Sequence, residues 1–209
     1  NQVRHLASYW KGLGETFDQL YSGSLLRQKE TANELIALTK GDSPGIQIDD
    51  SFNEYNGDSL IRIYLRDNAD LQSSNSSVDM PIKDERLFHR IFEKATSKWI
   101  KNSLKPTSND SDFESWTSFK HRVYSGVDEL MSKHTQGSRT LVSTSGGVIA
   151  MMLQRVLNFP DEKVIETNWM VRNSSITRIR YGDGKISLTQ FNSLPHLEQK
   201  GMTHLLTYR

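Results

Sequence analysis

Arg27 follows a small-residue turn and begins a helix-forming run, and this arrangement suits an anion. The apolar stretch Phe17–Tyr21 predicts a short buried strand that leads into the turn Ser22–Ser24. The residues from Arg27 to about Thr39 predict a helix. A guanidinium group and a helix N-terminus at the carboxyl end of a strand both favour negative charge. The spacing therefore predicts an anion-binding site at Arg27.

A second segment has the same strand–turn–helix layout. Thr140–Ser143 predicts a strand, Ser145 and Gly146 follow it, and Val148–Leu157 predicts an apolar helix. Hydroxyl groups and backbone N–H groups at such a turn can hold a phosphoryl oxygen. The same turn is also common without any ligand, so this segment alone leaves both interpretations open. Ligands of open α/β sheets bind outside the carboxyl ends of the strands, where both segments lie.

Composition limits the classes of function. The 209 residues carry a net charge of +1, which gives no general electrostatic attraction to nucleic acid or to an anionic membrane. There is no cysteine, which excludes disulfides and thiolate metal ligands from these residues. No His, Asp or Glu pair has a recognisable ligand spacing, so we predict no metal and no cofactor. We expect a cytoplasmic protein without a membrane-spanning segment.

The remaining pattern predicts helices between strands, which indicates an α/β fold with a mainly parallel sheet. Apolar spacing predicts a first helix that ends at Gly12 to Gly14, and two long amphipathic helices that form an insertion at about 80–133. Strands at Ser174–Tyr181 and Lys185–Phe191 flank Gly182-Asp183-Gly184, which is typical of a hairpin. The polar stretch Asp67–Asp79 predicts a surface loop. We expect one domain over 1–209.

Several motifs resemble those of the histidine phosphatase (phosphoglycerate mutase-like) superfamily. The segment from Ser24 to Ala32, which contains Arg27, resembles the phosphate clamp of that family. Thr144-Ser145-Gly146-Gly147 resembles a late-strand motif that usually reads Ser-His-Gly-Gly, so Ser145 stands where a second active-site histidine would be. Phe52-Asn53-Glu54-Tyr55 is similar to the segment that carries the acidic proton donor. Further similarities are Glu114–Val123, Phe191–Leu197 and Leu206–Arg209.

The resemblance implies a three-layer α/β/α sandwich with a mostly parallel central sheet and a helical insertion. It implies that Arg27, Ser145 and Gly146 bind phosphate, with help from the following N–H groups, and that Glu54 is the catalytic acid. It also implies that His196 is a structural hydrogen-bonding residue. The Thr-Ser-Gly-Gly form is similar to that of a subgroup of bacterial sequences.

The nucleophile of the resembled family is a histidine in an Arg-His-Gly motif at the end of the first strand. Arg4-His5 has the first two residues, but Leu6 follows and the surrounding apolar spacing is helical. The distance to Arg27 is also too short for a loop, a helix and a strand. We therefore expect His5 to lie on a helix surface, and we expect the first strand and its Arg-His-Gly loop upstream of Asn1.

These residues predict a metal-independent phosphatase that acts on a small phosphorylated metabolite through a phosphohistidine intermediate. The expected partner is that metabolite or free phosphate. The sequence leaves open whether the protein forms a homodimer. The alternative is a catalytically impaired relative that binds a phosphorylated ligand or a protein partner, because Ser145 brings no positive charge to the place of the second histidine. Losing one preorganised donor typically lowers the rate by about 10²–10³-fold.

Overall fold

The structure, a computed structural model, describes residues 1–41, 45–68, 82–134, 137–182, 184–199 and 201–207. The strands are β1 Gln19–Ser22, β2 Ile46–Ile48, β3 Thr140–Ser143, β4 Ile176–Gly182 and β5 Lys185–Ser193. The helices are α1 Gln2–Gly12, α2 Leu26–Leu35, α3 Gly57–Asp67, α4 Glu85–Ile100, α5 Trp116–Lys133, α6 Gly146–Leu157 and α7 Glu162–Met170. Short 3₁₀ turns lie at Ile36–Leu38, Asp50–Phe52 and Thr203–Leu205. Within the described ranges, no helix is long and apolar enough to cross a membrane.

The chain divides into two compact units, one made of Asn1–Glu54 with Arg122–Arg209 and the other of Tyr55–His121. In the first unit, β1 lies between β2 and β3, and both pairings are parallel. The register sets Leu20 beside both Ile46 and Leu141, and it sets Ser22 beside Ser143 at the carboxyl end. The expected α/β fold with a parallel central sheet is therefore confirmed.

The hairpin is also confirmed, because β4 and β5 pair antiparallel from Ile176 opposite Ser193 to Gly182 opposite Lys185. At the centre of the predicted turn, Asp183 lies outside the described residues. Side chains alternate along β4 between more and less exposed positions, as a strand with one covered face requires.

Helix α1 packs its apolar side against the rest of the first unit. Leu6 and Trp10 are 4% exposed and join a cluster with Phe17, Leu35 and Ile176. The rings of Trp10 and Phe17 meet edge to face at 5.2 Å. The opposite side of α1 carries Arg4, whose Nε lies 3.0 Å from the Glu34 carboxylate at the surface. The predicted first helix is confirmed.

The second unit has its own aromatic core. Tyr55, Trp99, Trp116 and Phe119 pack with ring centroids 4.8 to 6.2 Å apart. The indole N–H of Trp99 donates to the carbonyl oxygen of Glu114 at 2.8 Å, which satisfies a buried donor. Both long amphipathic helices are present as α4 and α5, and the single-domain prediction with its insertion bounds stays a prediction.

Two helices were not assigned from the sequence. Helix α3 begins at the N-cap Asn56, whose side chain accepts from the N–H groups of Asp58 and Ser59. Its buried residues include Leu60 and Tyr64, at helical spacing. Helix α7 is the second helix that the sequence pattern did not predict. The predicted loop Asp67–Asp79 falls almost entirely outside the described residues.

Candidate functional site

The turns after β1 and β3 are tied to each other at the carboxyl edge of the sheet. The N–H of Gly23 donates to the carbonyl oxygen of Ser143 at 3.2 Å. The hydroxyl of Ser143 donates to the carbonyl oxygen of Gln28 at 2.8 Å. These contacts fix the start of α2 beside the start of α6, so the two segments that the sequence predicted to meet do meet.

Ser145 and Arg27 are in direct contact. The Nη2 of Arg27 donates to the Oγ of Ser145 at 3.2 Å, although the two residues are 118 positions apart. Ser145 is the N-cap residue of α6, but its side chain makes no capping hydrogen bond. A serine at this position usually caps the helix. Here its hydroxyl instead turns toward the guanidinium group, and a hydroxyl beside a cation at a helix N-terminus is suited to an anion.

Glu54 lies at the N-terminus of the same helix. Its Oε2 accepts from the backbone N–H of Gly147 at 3.1 Å. Helix α6 has no acidic residue in its own first turn, so Glu54 supplies negative charge at the positive end of the helix dipole. The N–H of Gly147 thus already has an acceptor in this structure, and phosphate binding by the N–H groups after Ser145 stays a prediction.

The segment that carries Glu54 is held by Arg122. One nitrogen of its guanidinium group, Nη1, donates to the carbonyl oxygens of Asp50, Ser51 and Asn53 at 2.8, 3.1 and 3.0 Å. Helix α5 also packs tightly here, because a Cβ added at Gly126 would lie 2.3 Å from the Cβ of Ser51. Arg122 lies within the stretch Glu114–Val123 that resembles the family, but the resemblance gave it no role.

The same segment is bonded to the turn after β1. The side chain of Asn53 accepts from the N–H of Ser24 at 2.7 Å and donates to its hydroxyl at 2.9 Å. The carbonyl oxygen of Phe52 accepts from the Thr144 hydroxyl at 2.7 Å. Glu54 thus belongs to a short stretch of chain that is bonded both to the turn after β1 and to the turn after β3.

Sequence reasoning missed Gln28. It is only 2% exposed, and its amide nitrogen donates to the Ser145 Oγ at 3.0 Å and to the Phe52 carbonyl oxygen at 2.9 Å. The signal that could have found it is its position on α2. Gln28 stands four residues before Ala32 and shares the buried face of the helix, where a long polar side chain needs partners.

A cleft of about 1950 Å³ extends from this site along the sheet. It is lined by Arg27, Ser145 and Gly146 and by every residue of β3 and β4. Within the described residues, β3 pairs only with β1 and β4 pairs only with β5. Among the described charged residues that line the cleft, Glu15 is the acidic one, and the basic ones are Arg27, Arg139, Arg155, Arg172, Arg178, Arg180 and Lys185.

The two histidines discussed from the sequence, His5 and His196, take no part in the contacts described above. His5 is on α1, as expected. His196 is buried, with its Nε2 at 2.9 Å from the Ser174 hydroxyl, and it has the hydrogen-bonding role that the resemblance implied. Burial lowers the pKa of His196 from 6.5 to about 4, with a smaller contribution from the nearby His5. Across the part of the chain that is described, no three His, Asp or Glu side chains cluster as a metal site.

The sequence matches a family described as "Histidine phosphatase superfamily (branch 1)" over residues 83–194. The match covers more than half of the chain. The chain belongs to the histidine phosphatase superfamily. The matched range includes Ser145 and Gly146, whereas Arg27 and Glu54 lie outside it. A comparison with curated proteins found no match.

Several solved structures share the fold of this chain. A phosphoglycerate mutase from Bacillus anthracis has a TM-score of 0.60 at 18% identity, covering 93% of this chain and 81% of its own. A putative α-ribazole-5'-P phosphatase from Escherichia coli has a TM-score of 0.59 at 20% identity, covering 92% and 80%. A phosphoserine phosphatase from Entamoeba histolytica has a TM-score of 0.58 at 18% identity, covering 94% and 82%. At these identities the likeness concerns the fold alone.

Proposed function

We propose that this superfamily member is a phosphatase that hydrolyses the phosphomonoester of a small metabolite. The observation that carries the proposal is the contact of 3.2 Å between Arg27 and Ser145 at the N-terminus of α6. A guanidinium group, a hydroxyl and a helix N-terminus together suit the oxygens of a phosphoryl group. The basic lining of the cleft adds a local positive potential that attracts an anionic substrate, although the net charge of the chain is only +1.

In the proposed mechanism, Arg27 binds and orients the phosphoryl group, and the Ser145 hydroxyl donates to one of its oxygens. Glu54 takes up a proton from water or from the monoanion of the substrate as the substrate binds. A histidine nitrogen then attacks phosphorus as the ester P–O bond breaks, and Glu54 gives that proton to the leaving alkoxide. Water then attacks the phosphohistidine and releases inorganic phosphate. Cationic and neutral donors stabilise the charge of the transferring group, so the proposal invokes no metal.

We place the nucleophilic histidine on a strand upstream of Asn1 that pairs with β3. The cleft supports this, because every residue of β3 and also Arg27 line it, whereas no residue of β1 does. An added strand there would satisfy the backbone groups along that edge. Its carboxyl end would then deliver a side chain beside Arg27 and Ser145 if the strand runs parallel to β3.

The similar solved structures support a small substrate. They include phosphatases for phosphoserine and α-ribazole phosphate, and a mycobacterial phosphatase for glucosyl-3-phosphoglycerate that was solved with inorganic phosphate. We extend only the common chemistry, a phosphomonoester on a small polar molecule. The Thr-Ser-Gly-Gly motif leads us to propose that the chain belongs to the corresponding subgroup.

The second candidate is a binding protein that recognises a phosphorylated ligand or partner without chemistry. Ser145 favours it, because a neutral hydroxyl stands where the superfamily usually carries its second histidine. Phosphate binding in the full-length protein without turnover of any phosphomonoester would favour this candidate over the phosphatase.

The test is the substitution Arg27→Ala in the full-length protein, measured by release of phosphate from a generic phosphomonoester. We expect kcat/KM to fall by about 10²–10³-fold, because a charged donor to the transition state is lost. The matched control is Arg4→Ala, which removes the same charge from an exposed ion pair on α1. Equal activities of the two variants would contradict the proposed function.

A further inference from the structure

Gln28 is a buried polar residue whose amide orientation can be decided. Its amide nitrogen lies 2.9 Å from the carbonyl oxygen of Phe52, an atom that can only accept a hydrogen bond. The nitrogen, and not the oxygen, must therefore face Phe52. The same nitrogen lies 3.0 Å from the Oγ of Ser145, so Gln28 donates to Ser145 and cannot accept from it.

This contact determines what the Ser145 hydroxyl can do. A serine oxygen accepts through two lone pairs and donates one proton. Arg27 and Gln28 supply the two donors, at 3.2 and 3.0 Å. Within the part of the chain that is described, the hydroxyl proton meets no acceptor, and Ser145 lines the cleft. Both acceptor positions are filled, so the hydroxyl is left to donate.

The surroundings of Gln28 are built to hold it. Its Oε1 is buried without a hydrogen-bond partner among the described residues, which costs folding free energy. A Cβ added at Gly23 would lie 1.9 Å from that oxygen, so the side chain occupies the space that Gly23 leaves open. An apolar side chain of similar length would avoid this cost. The amide nitrogen is the part of Gln28 that has a function for the site.

We propose that Gln28 is a positioning residue that sets the Ser145 hydroxyl as a hydrogen-bond donor to an oxygen of the bound phosphoryl group. The inference rests on the proposed function in one respect, namely that the site binds a phosphoryl anion. It gives a role to Gln28, to which the resemblance of the segment from Ser24 to Ala32 assigned none. Gln28 does not touch the ligand and acts through Ser145.

The experiment is a double-mutant cycle in which titration calorimetry measures the binding of inorganic phosphate to the full-length protein. Gln28→Leu should weaken phosphate binding by about 5–10-fold in the native background, since one oriented neutral donor is lost. In the Ser145→Ala background, the same change should have no further effect, because Gln28 acts through that hydroxyl. The same loss in both backgrounds, or no loss in the native one, would overturn the inference.

A control separates positioning from general damage to the fold. Gln154→Leu removes another buried glutamine, one that bonds the Tyr124 hydroxyl and the Phe159 carbonyl oxygen away from Arg27. This variant should lose stability without losing phosphate affinity. If its phosphate affinity falls as much as that of Gln28→Leu, the cycle reports destabilisation and the inference is overturned.

The variant Gln28→Glu tests the donor role through the pH dependence of phosphate binding, which a merely space-filling side chain would not alter. An ionised carboxylate can only accept a hydrogen bond, so the Ser145 hydroxyl would donate to it and not to the phosphoryl oxygen. A protonated carboxyl group can still donate to the Ser145 Oγ. The ratio of the variant and native dissociation constants should therefore rise with pH. A ratio that stays constant across pH would overturn the inference.

The outcomes distinguish the inference from the proposed phosphatase. Phosphate binding that depends on Gln28 through Ser145, without turnover, would overturn the phosphatase and keep the inference. Turnover that requires Arg27, with no coupling between Gln28 and Ser145, would overturn the inference alone. A native protein that binds no phosphate would overturn the inference as well.

Discussion

At the residue scale, the site combines one strong cation with one carboxylate and neutral donors. Arg27 provides the cation, and the Ser145 hydroxyl lies 3.2 Å from its guanidinium group. Glu54 sits on the Gly147 N–H, at the positive end of α6. A bound phosphoryl group would approach the same helix end. In the proposed mechanism, Glu54 therefore exchanges its hydrogen bond with the Gly147 N–H for one with the leaving-group oxygen when the substrate binds.

The role of Glu54 can be tested by Glu54→Gln, which keeps the side-chain shape and an oxygen that accepts from Gly147 but removes the acidic proton. For an alkyl phosphate, we expect kcat to fall by about 10²–10⁴-fold, the usual contribution of a general acid. For an aryl phosphate with an acidic leaving group, the loss should be much smaller, because that group departs without a proton. Equal losses on both substrates would argue against a proton-donor role.

Residues of the site were predicted from the sequence to different degrees. The position of Arg27 and Ser145 at the same edge of the sheet followed from two strand–turn–helix patterns, since parallel strands bring their carboxyl ends to one edge, but their direct contact did not. Glu54 came only from a family resemblance, because no local pattern distinguishes it from a surface carboxylate. Gln28 was missed because its partners, Phe52 and Ser145, are 24 and 117 positions away.

At the scale of elements, α5 holds the acid-bearing segment in place. Arg122 bonds the backbone of residues 50–53, and the missing side chain of Gly126 lets the helix approach Ser51. The amphipathic pattern predicted this helix, as it predicted α1 and α4. Neither contact follows from that pattern, because each depends on the fold of a segment about 70 residues earlier. Helices α3 and α7 show the same limit, since tertiary packing decides whether short helices form.

Gly126→Ala should disturb the site through this contact. In a helix, alanine is normally more stable than glycine by about 1 kcal/mol. Here the new methyl group would lie 2.3 Å from the Ser51 Cβ, so we expect a net loss of about 1–3 kcal/mol and a lower kcat. Thermal unfolding and phosphatase assays measure the two effects.

The matched control for that change is Gly12→Ala in α1, where a Cβ meets no atom within 4 Å. This variant should keep its activity and be as stable as the native protein or slightly more stable. If Gly126→Ala behaves in the same way, the close approach of α5 to Ser51 is not a constraint on the site.

At the scale of the whole molecule, the described residues of the site all belong to the first of the two compact units. Arg27, Gln28 and Glu54 come from its N-terminal part, and Ser145 comes from its C-terminal part. The site therefore depends on the packing of distant segments within that unit. The α/β class was predictable from alternating helices and strands. The partners of buried polar groups were not, because they come from segments far apart in the chain.

His196 is such a buried group, and it should make the stability of the protein depend on pH. Its pKa in the folded protein is lowered to about 4 from 6.5, mainly by burial. Between these values the unfolded chain binds a proton that the folded protein does not. The free energy of unfolding should therefore fall as pH drops from 6.5 to about 4, by at most about 1.4 kcal/mol per pH unit from this residue. Denaturant unfolding of His196→Asn should show a shallower acid slope than the native protein. Parallel acid slopes for the native protein and His196→Asn would mean that other groups set the acid sensitivity.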